Sequence, residues 1–214
     1  VSKNATAIIN FNGKVWYVQG GAAAGDGRSN TPLNALTSAT LGGTGDFIYV
    51  MKEVSGTTPG SITLQASQKL IGAGTDLNVP TVGTILSIAG AAANTPMLTN
   101  TITLANSVTV DGIDMGTTTN TAITNAGTTV TGVNFTARNV TTSTGTGITL
   151  TGTGNNVTMT LTTLTTNGAT NGVALTNTAG TVTINGGTQT GSTGSAFNIN
   201  GGTVSLTYSG GITQ

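Results

Sequence analysis

Short apolar stretches recur through the second half of this chain at a nearly constant spacing. Each of these stretches opens on one of Ile123, Ile148, Val173 and Phe197, so the pattern repeats about every 25 residues. A period of roughly 20 to 50 residues is typical of folds built from stacked, similar units. One such unit is too small to bury its apolar side alone, so the period constrains the chain to a stack.

The units read as short strands rather than helices. Within 157–161, Val157, Met159 and Leu161 alternate with threonine, which places apolar and polar side chains on opposite faces of a strand. Thr is also abundant, at 49 of 214 residues, and β-branched side chains favour extended structure. Further short strands are expected between 61 and 115, including one at 84–88.

These strands predict an all-β fold, a parallel β-helix in which each strand pairs with its counterpart one turn later. Coils would then be spaced by about 4.8 Å, and roughly seven or eight of them would form a rod on the order of 40 Å long. An antiparallel sandwich is the structural alternative. Its turns recur every 8–12 residues or so, which gives no reason for the much longer period of this chain.

The segment 1–24 predicts strands that cap the helix or mediate assembly, ahead of a β-helix over 25–214. Segments 5–11 and 14–18 flank Asn12-Gly13, a strong hairpin signal. Trp16, Tyr17 and Phe11 cluster there, and we expect them to plug the end of the core. The alternative is a stacking platform for a sugar ring.

A short helix of two or three turns is expected over 32–41. Thr31 before Pro32 is typical of a helix N-cap followed by proline at the first helical position. Gly42 and Gly43 would end the helix.

The amino-acid composition argues against several classes of function. Six basic and six acidic residues give a net charge of zero, and the chain has neither His nor Cys. The chain therefore has no basic patch for binding nucleic acid and lacks the usual zinc ligands. It also has no apolar run long enough to span a membrane. After Asp114 the only charged residue is Arg138. We expect no cofactor, no nucleic-acid partner and no insertion into a membrane.

The stretch GDGRSNTPLNALTSATLGGTGDFIYV at 25–50 resembles the opening of bacterial right-handed parallel β-helix proteins of the pectate-lyase-like group. Segment 61–74 is similar to the first coils of large secreted bacterial β-strand-repeat proteins, and segment 12–18 resembles the strand that precedes the opening in those proteins. The resemblance implies a right-handed parallel β-helix with an N-terminal capping helix, located outside the cell or on its surface. This fold carries lyases, hydrolases, tailspikes and adhesins alike, so it leaves the function open.

The acidic residues do not form a recognisable catalytic or metal site. Glycoside hydrolysis uses a pair of carboxylates at a defined separation, and the sugar-cleaving proteins of this group keep theirs on the middle coils. Asp111 and Asp114 are close in sequence, but calcium takes six to eight oxygen ligands and no third carboxylate lies nearby. We therefore expect a turn pair, no metal, no catalytic residue and no enzymatic activity.

Paired threonines suggest one flat outer face. The candidate surface residues form three pairs that recur every 22–23 residues and are expected to stack above one another: Thr158 and Thr160, Thr181 and Thr183, and Thr203 and Ser205. Such Thr-X-Thr rows resemble the faces of ice-binding solenoids, although strand propensity and solubility explain them more simply.

Three functional hypotheses follow. The leading one is a non-enzymatic extracellular structural or adhesive module: a rigid β-helical spacer, an adhesin segment or a filament building block. Both ends look like pieces of a longer repeat, so unpaired strand edges would favour end-to-end self-association or contact with other surface proteins. The alternatives are a polysaccharide-binding or polysaccharide-cleaving β-helix, with glycans as partners, and an ice-binding solenoid.

Overall fold

The chain folds into an all-β parallel solenoid of about 7 turns. The structure, a computed structural model, describes residues 13–37, 42–80 and 85–214. The predicted fold class is therefore confirmed. Every strand pair in the main sheet is parallel, and neighbours in space are separated by a full turn of the chain.

The described residues contain seventeen strands and a 3₁₀-helix at Ala92–Asn94. The strands are β1 Val15–Val18, β2 Phe47–Val50, β3 Ile62–Thr63, β4 Lys69–Gly72, β5 Leu77–Pro80, β6 Ile85–Ile88, β7 Met97–Leu98, β8 Ile102–Thr103, β9 Thr109–Thr118, β10 Ile123–Thr124, β11 Val133–Thr142, β12 Ile148–Leu150, β13 Asn155–Asn167, β14 Val173–Ile184, β15 Thr188–Thr190, β16 Phe197–Tyr208 and β17 Gly211–Thr213.

Three walls enclose the core. Wall 1 stacks β1, β2 and β4 with parts of β9, β11, β13, β14 and β16. Wall 2 stacks β7, the later halves of β9, β11 and β13, then β15 and β17. Wall 3 stacks β3, β8, β10 and β12 with the first halves of β14 and β16. The long strands therefore each bend around a corner and serve two walls.

The register in wall 3 confirms the predicted period. Ile123 pairs with Ile148, Ile148 with Val173, and Val173 with Phe197. Equal coil lengths place like residues directly above one another, which is the condition for a continuous core in a stack.

The core is the column of inward side chains from all three walls. Phe135, Ile123, Ile148 and Leu161 are each 0% exposed. Burying a side chain of this size contributes roughly 1.5–3 kcal/mol. Outward neighbours such as Thr158 are exposed, so the period-2 alternation predicted from sequence holds in the long strands.

Buried amides join the coils at the corner between walls 3 and 1. The Asn125 side chain donates to the carbonyl oxygen of Thr151 at 2.7 Å and accepts from the Thr151 backbone N–H at 3.0 Å. It also donates to the Asn155 side chain at 3.1 Å. Asn155 in turn accepts from the Val130 N–H at 3.0 Å. Both asparagines are fully buried, so these bonds satisfy groups that water cannot reach.

The N-terminal predictions are only partly met. Strand β1 coincides with most of the predicted segment 14–18, but it pairs in parallel with β2. Its predicted hairpin partner at 5–11 lies outside the described residues.

The capping helix predicted over 32–41 is not seen in the described residues. Leu33 donates its N–H to the carbonyl of Tyr17 at 2.9 Å, and its own carbonyl accepts from the N–H of Gln19 at 2.8 Å. This pairing holds the chain extended beside β1, which prevents a helix from starting at residue 32. A bend and a 3₁₀ turn follow up to residue 37, and 38–41 lie outside the described residues.

An inserted hairpin covers the outer side of wall 1. Strands β5 and β6 pair antiparallel between β4 and β7, so the strand predicted at 84–88 belongs to this hairpin and not to a coil. The insertion lengthens this turn of the chain, and Lys69 therefore pairs with Thr109, much further along the sequence than one ordinary coil would place its partner.

Two cations fix the end of the insertion to the solenoid. Arg138 donates to the carbonyl of Ala92 and to the hydroxyl of Thr95, both at 2.7 Å. The Lys52 ammonium donates to the carbonyl of Thr95 at 3.1 Å. The hairpin is therefore tied to coils on both sides of its position in the stack.

Candidate functional site

The outer surface of wall 1 in β11, β13, β14 and β16 is a threonine wall. Its two complete rows follow from the strand register. One row contains Asn134, Thr158, Thr181 and Ser205, and the other contains Thr136, Thr160, Thr183 and Thr207.

The register corrects the predicted third pair of this surface. Thr203 was expected beside Thr181, but it pairs with Ala179, while Ser205 pairs with Thr181. Thr207 completes the row of Thr183 and was missed. The step from Thr181 to Thr203 is shorter than one full coil. The coil has the length of the step from Val173 to Phe197, and the step from Thr181 to Ser205 has that same length. Because the Val173-to-Phe197 step can be read from the sequence, the correct partner of Thr181 could have been found there.

The threonine wall offers hydrogen bonds but no acid–base chemistry. A threonine hydroxyl donates one hydrogen bond and accepts others without ionising near neutral pH. Thr158 and Thr181 are exposed, and Thr160 and Thr183 are half-buried by their neighbours. Such a surface can pack against another flat surface or bind neutral polar groups. Ice binding remains a prediction for this wall.

All six carboxylates of the chain accept hydrogen bonds from the described residues. The backbone or side-chain donors are Arg28 and Thr31 for Asp26, Lys14, Trp16 and Gly43 for Asp46, Thr58 and Met97 for Glu53, Gly90 for Asp76, Gly112 for Asp111, and Asn139 for Asp114. No group of three or more potential metal-ligating acids occurs within the described part of the chain.

Asp111 and Asp114 flank a corner of β9 and lie on different walls. Asp111 pairs with Ile71 on wall 1, whereas Asp114 pairs with Met97 on wall 2. Gly112 between them has a φ of 69°, a value that favours glycine. Burial raises the pKa of Asp111, although hydrogen bonds from Gly112 and Thr75 oppose the shift.

Asp114 begins a polar ladder on wall 2. Its carboxylate accepts from the backbone and side-chain nitrogens of Asn139, at 2.9 and 3.2 Å. Asn139 accepts in turn from the hydroxyl of Thr163 at 2.8 Å. This ladder gives Asp114 a structural role in linking three coils.

Asp46 fixes the first coil to the second. Its carboxylate accepts from the Lys14 N–H at 2.7 Å, the Trp16 indole N–H at 2.9 Å and the Gly43 N–H at 2.8 Å. Burial acts to raise the pKa of Asp46, but these three hydrogen bonds together outweigh it and lower the pKa below the ordinary 3.8.

An aromatic groove lies between wall 1 and the hairpin. Its floor is formed by Tyr49, Met51 and Ala73, and Tyr17 and Gln19 line one side. The volume is about 470 Å³. The groove lies on the outer side of the first coils. The corresponding outward positions of the later coils are mainly threonine.

The other side of the groove comes from distant segments. Ile88 of the hairpin and Asn94 of the 3₁₀-helix lie there, and Lys52 and Ser29 complete the rim. Trp16 is different from its neighbour Tyr17, because it packs against the main core as predicted. Sequence reasoning identified the aromatic cluster but could not separate these two roles.

The two ends of the solenoid differ in their exposed strand edges. The edge of β1 is covered, because Tyr17 donates its N–H to Gly27 at 2.9 Å and Leu33 is bonded beside it. At the other end, no strand within the described residues bonds to the outer edge of β16 or β17. Ile199 is 44% and Ile212 53% exposed there.

Comparison of the chain with protein-family models, with curated proteins and with solved structures finds no match. Among the described residues, no helix has the length and apolar character required to cross a membrane.

Proposed function

We propose that this chain is a non-enzymatic structural or adhesive module, a rigid β-solenoid segment that acts as an extracellular spacer, adhesin segment or filament building block. One observation carries the proposal. From β9 onward, the parallel ladders of wall 1 and wall 2 continue through β16 and β17, and from β11 onward the outer surface of wall 1 is uncharged and mainly threonine. A continuous ladder resists bending, and an uncharged hydroxyl surface tolerates close contact with a neighbour.

The ladder geometry supports a spacer. Wall 1 contains eight strand levels, from β1 to β16, and the seven steps between them extend it by about 34 Å. Each coil is hydrogen-bonded to the next in up to three walls. Shearing one coil past another would break these bonds together, so stiffness arises from the architecture and not from a single contact.

The environment of the carboxylates supports a non-enzymatic role. General acid–base catalysis needs a group positioned to exchange a proton with a substrate. The carboxylates here are bonded to backbone N–H groups or to neighbouring side chains, as Asp46 and Asp114 illustrate. Incubation with neutral and acidic polysaccharides, with and without calcium, is expected to release no reducing ends and no unsaturated products. Release of either product would contradict the proposal.

For the polypeptide of residues 1–214, self-association is expected through the edges of β16 and β17, which pair with no further strand among the described residues. A second copy of the chain is the proposed partner, since unpaired strand edges template further strands and the apolar Ile199 and Ile212 are exposed beside them. The covered edge of β1 makes the other end a poorer template. The proposed contact therefore involves the last coil and is not symmetric between the two ends.

Size-exclusion chromatography with light scattering and negative-stain electron microscopy test this contact. The wild-type chain is expected to associate as its concentration rises, and Ile199→Lys and Ile212→Lys should prevent association by placing charge on the edge. Thr158→Lys adds the same charge to the exposed threonine wall and should leave association intact. A wild-type chain that stays monomeric at all concentrations would overturn the proposed contact.

A further inference from the structure

The aromatic groove has the dimensions and composition of a ligand site. Its volume of about 470 Å³ falls within the roughly 300–1,000 Å³ typical of small-molecule pockets. It is built from β1, β2 and the inserted hairpin, which are distant in sequence. Bonds from Lys52 and Arg138 fix the end of that insertion, so the groove is preformed and does not depend on a loop closing.

Two tyrosines give the groove apolar surface with hydroxyl groups. The rings of Tyr17 and Tyr49 meet edge to face, with centroids 5.9 Å apart and planes at 79°. Tyr49 is only 5% exposed, and the small part of it that solvent reaches lines the groove. Burial, together with Tyr17 and Asp76 nearby, raises the pKa of Tyr49. The Tyr49 hydroxyl, like that of any tyrosine, is protonated at neutral pH and can donate a hydrogen bond.

The polar groups at the rim favour an uncharged ligand. The described lining contains no carboxylate and one cation, Lys52. That ammonium donates to the Thr95 carbonyl and lies 3.4 Å from the carboxylate of Glu53, so its charge is largely balanced. Gln19 and Asn94 add side-chain amides, which bind hydroxyl groups as donors and acceptors.

We propose that the aromatic groove binds a short neutral oligosaccharide. A sugar ring has an apolar C–H face that can pack on the half-buried ring of Tyr17, and its hydroxyl groups can bond to the tyrosine hydroxyls and to the amides of Gln19 and Asn94. Tyrosine combines such an apolar surface with a polar end. The inference goes beyond the proposed spacer function and does not depend on it, because the groove lies at the opposite end of the solenoid from the proposed contact.

Isothermal titration calorimetry tests the site with three soluble probes: cellotetraose and chitotetraose, which are neutral, and α-1,4-tetragalacturonate, which is acidic. We expect at least one neutral probe to bind more tightly than the acidic one. Tyr17→Ala should weaken that binding about tenfold, as expected for the loss of one ring contact. Tyr17→Leu keeps apolar volume but not the ring, and Tyr49→Phe removes only a hydroxyl, so both remain informative if the alanine variant folds poorly.

Tyr208 provides the matched control. It is the chain's third tyrosine and packs against Phe197 at the far end of the solenoid. Tyr208→Ala should leave the affinity unchanged. The inference is overturned if no neutral probe binds at millimolar concentration, if the acidic probe binds more tightly, or if Tyr17→Leu and Tyr49→Phe both bind as the wild-type chain does. Ile212→Lys, which is expected to disrupt assembly, should keep full binding, so failure of one proposal is distinguishable from failure of the other.

Discussion

The front and rear coils of wall 1 share one backbone ladder but differ in every outward position. In the front coils, formed by β1, β2 and β4, the outward residues include Tyr17, Tyr49 and Ile71, and a hairpin covers them. In the rear coils, formed by β11, β13, β14 and β16, the outward residues are mainly threonine, and they are exposed or half-buried with no segment packed over them in the described structure. The stacked strands require apolar residues only at their inward positions. The outward positions can therefore form either a binding site, as in the front coils, or an uncharged polar surface, as in the rear coils.

The two regions are also stabilised differently. The front coils have a second apolar cluster outside the main core, which contains Phe47, Tyr49, Ile71, Leu77 and Val79. The rear coils have no such cover in the described structure, and buried asparagines link them from within. Four experiments test this contrast, in order of decreasing expected effect.

The largest effect is expected for Asn125→Ala, which removes an internal link between coils. The substitution takes the Asn125 side chain away from the Thr151 N–H and the Thr128 carbonyl oxygen, and it removes one of the two amide donors to the Thr151 carbonyl oxygen. The free energy of unfolding should fall by about 3 kcal/mol or more. Urea denaturation followed by circular dichroism measures it. Asn134→Ala, on the exposed wall, is the control and should change stability by less than about 0.5 kcal/mol. Equal effects would mean that the buried amide does not hold the rear coils.

A slightly smaller effect is expected for Leu77→Ala in the hairpin. Leu77 is 1% exposed, and truncating a buried leucine costs about 3 kcal/mol. Hydrogen exchange should show lost protection in β5 and β6, with β11 and β13 still protected. Val54→Ala, at a residue 66% exposed, should change neither. Loss of protection throughout the solenoid would show that the front cover and the rear coils unfold as one unit.

Asp46→Asn tests the link between the first two coils and makes stability depend on pH. Because the folded-state pKa of Asp46 is depressed, its stabilisation is full above the ordinary value of 3.8 and is lost as the pH falls through the folded value. The variant should be less stable by about 2 kcal/mol at neutral pH, and this difference should shrink well below pH 3.8. Urea titrations followed by the fluorescence of Trp16 measure both. A difference that stays constant with pH would contradict the charged role of Asp46.

The smallest effects come from exchanging residue types between the two outer surfaces. Ile71→Thr places a rear-type residue under the hairpin, where Ile71 is 7% exposed, and should cost about 1.5 kcal/mol through lost burial. Thr158→Val places an apolar residue on the threonine wall and should change stability by less than about 0.5 kcal/mol. Thermal melts of both variants measure the contrast. A Thr158→Val penalty as large as that of Ile71→Thr would show that the threonine wall is itself required for folding.

The repeating part of the fold could be predicted from particular residues. Ile123, Ile148, Val173 and Phe197 align in the structure as their spacing indicated, because stacked coils must have nearly equal lengths. The threonine wall was predicted less accurately, since two threonines separated by one residue occur at several phases of the repeat. Only the backbone register distinguishes the row of Thr181 and Ser205 from that of Ala179 and Thr203.

The front of the molecule was harder to predict. The apolar segment at 84–88 is typical of a strand in any sheet, so its local pattern could not separate a coil from a hairpin. Pro32 suggested a helix, but the Leu33 N–H donates to Tyr17 and the Leu33 carbonyl accepts from Gln19, and these bonds hold the chain extended. Contacts between segments distant in sequence decided both outcomes: they gave the strand at 84–88 its hairpin partner, and they overrode the helical preference after Pro32.

The amino-acid sequence by itself determined the β class, the period of the stack, the alternation of inward and outward residues and the scarcity of ionisable groups. These properties are local, because strand geometry alone assigns neighbouring side chains to opposite faces. Only the tertiary structure decided which rows align, where the hairpin docks and which residues form the aromatic groove. Those features depend on contacts across a whole turn or more, such as the pairing of Lys69 with Thr109, and local patterns do not specify such contacts.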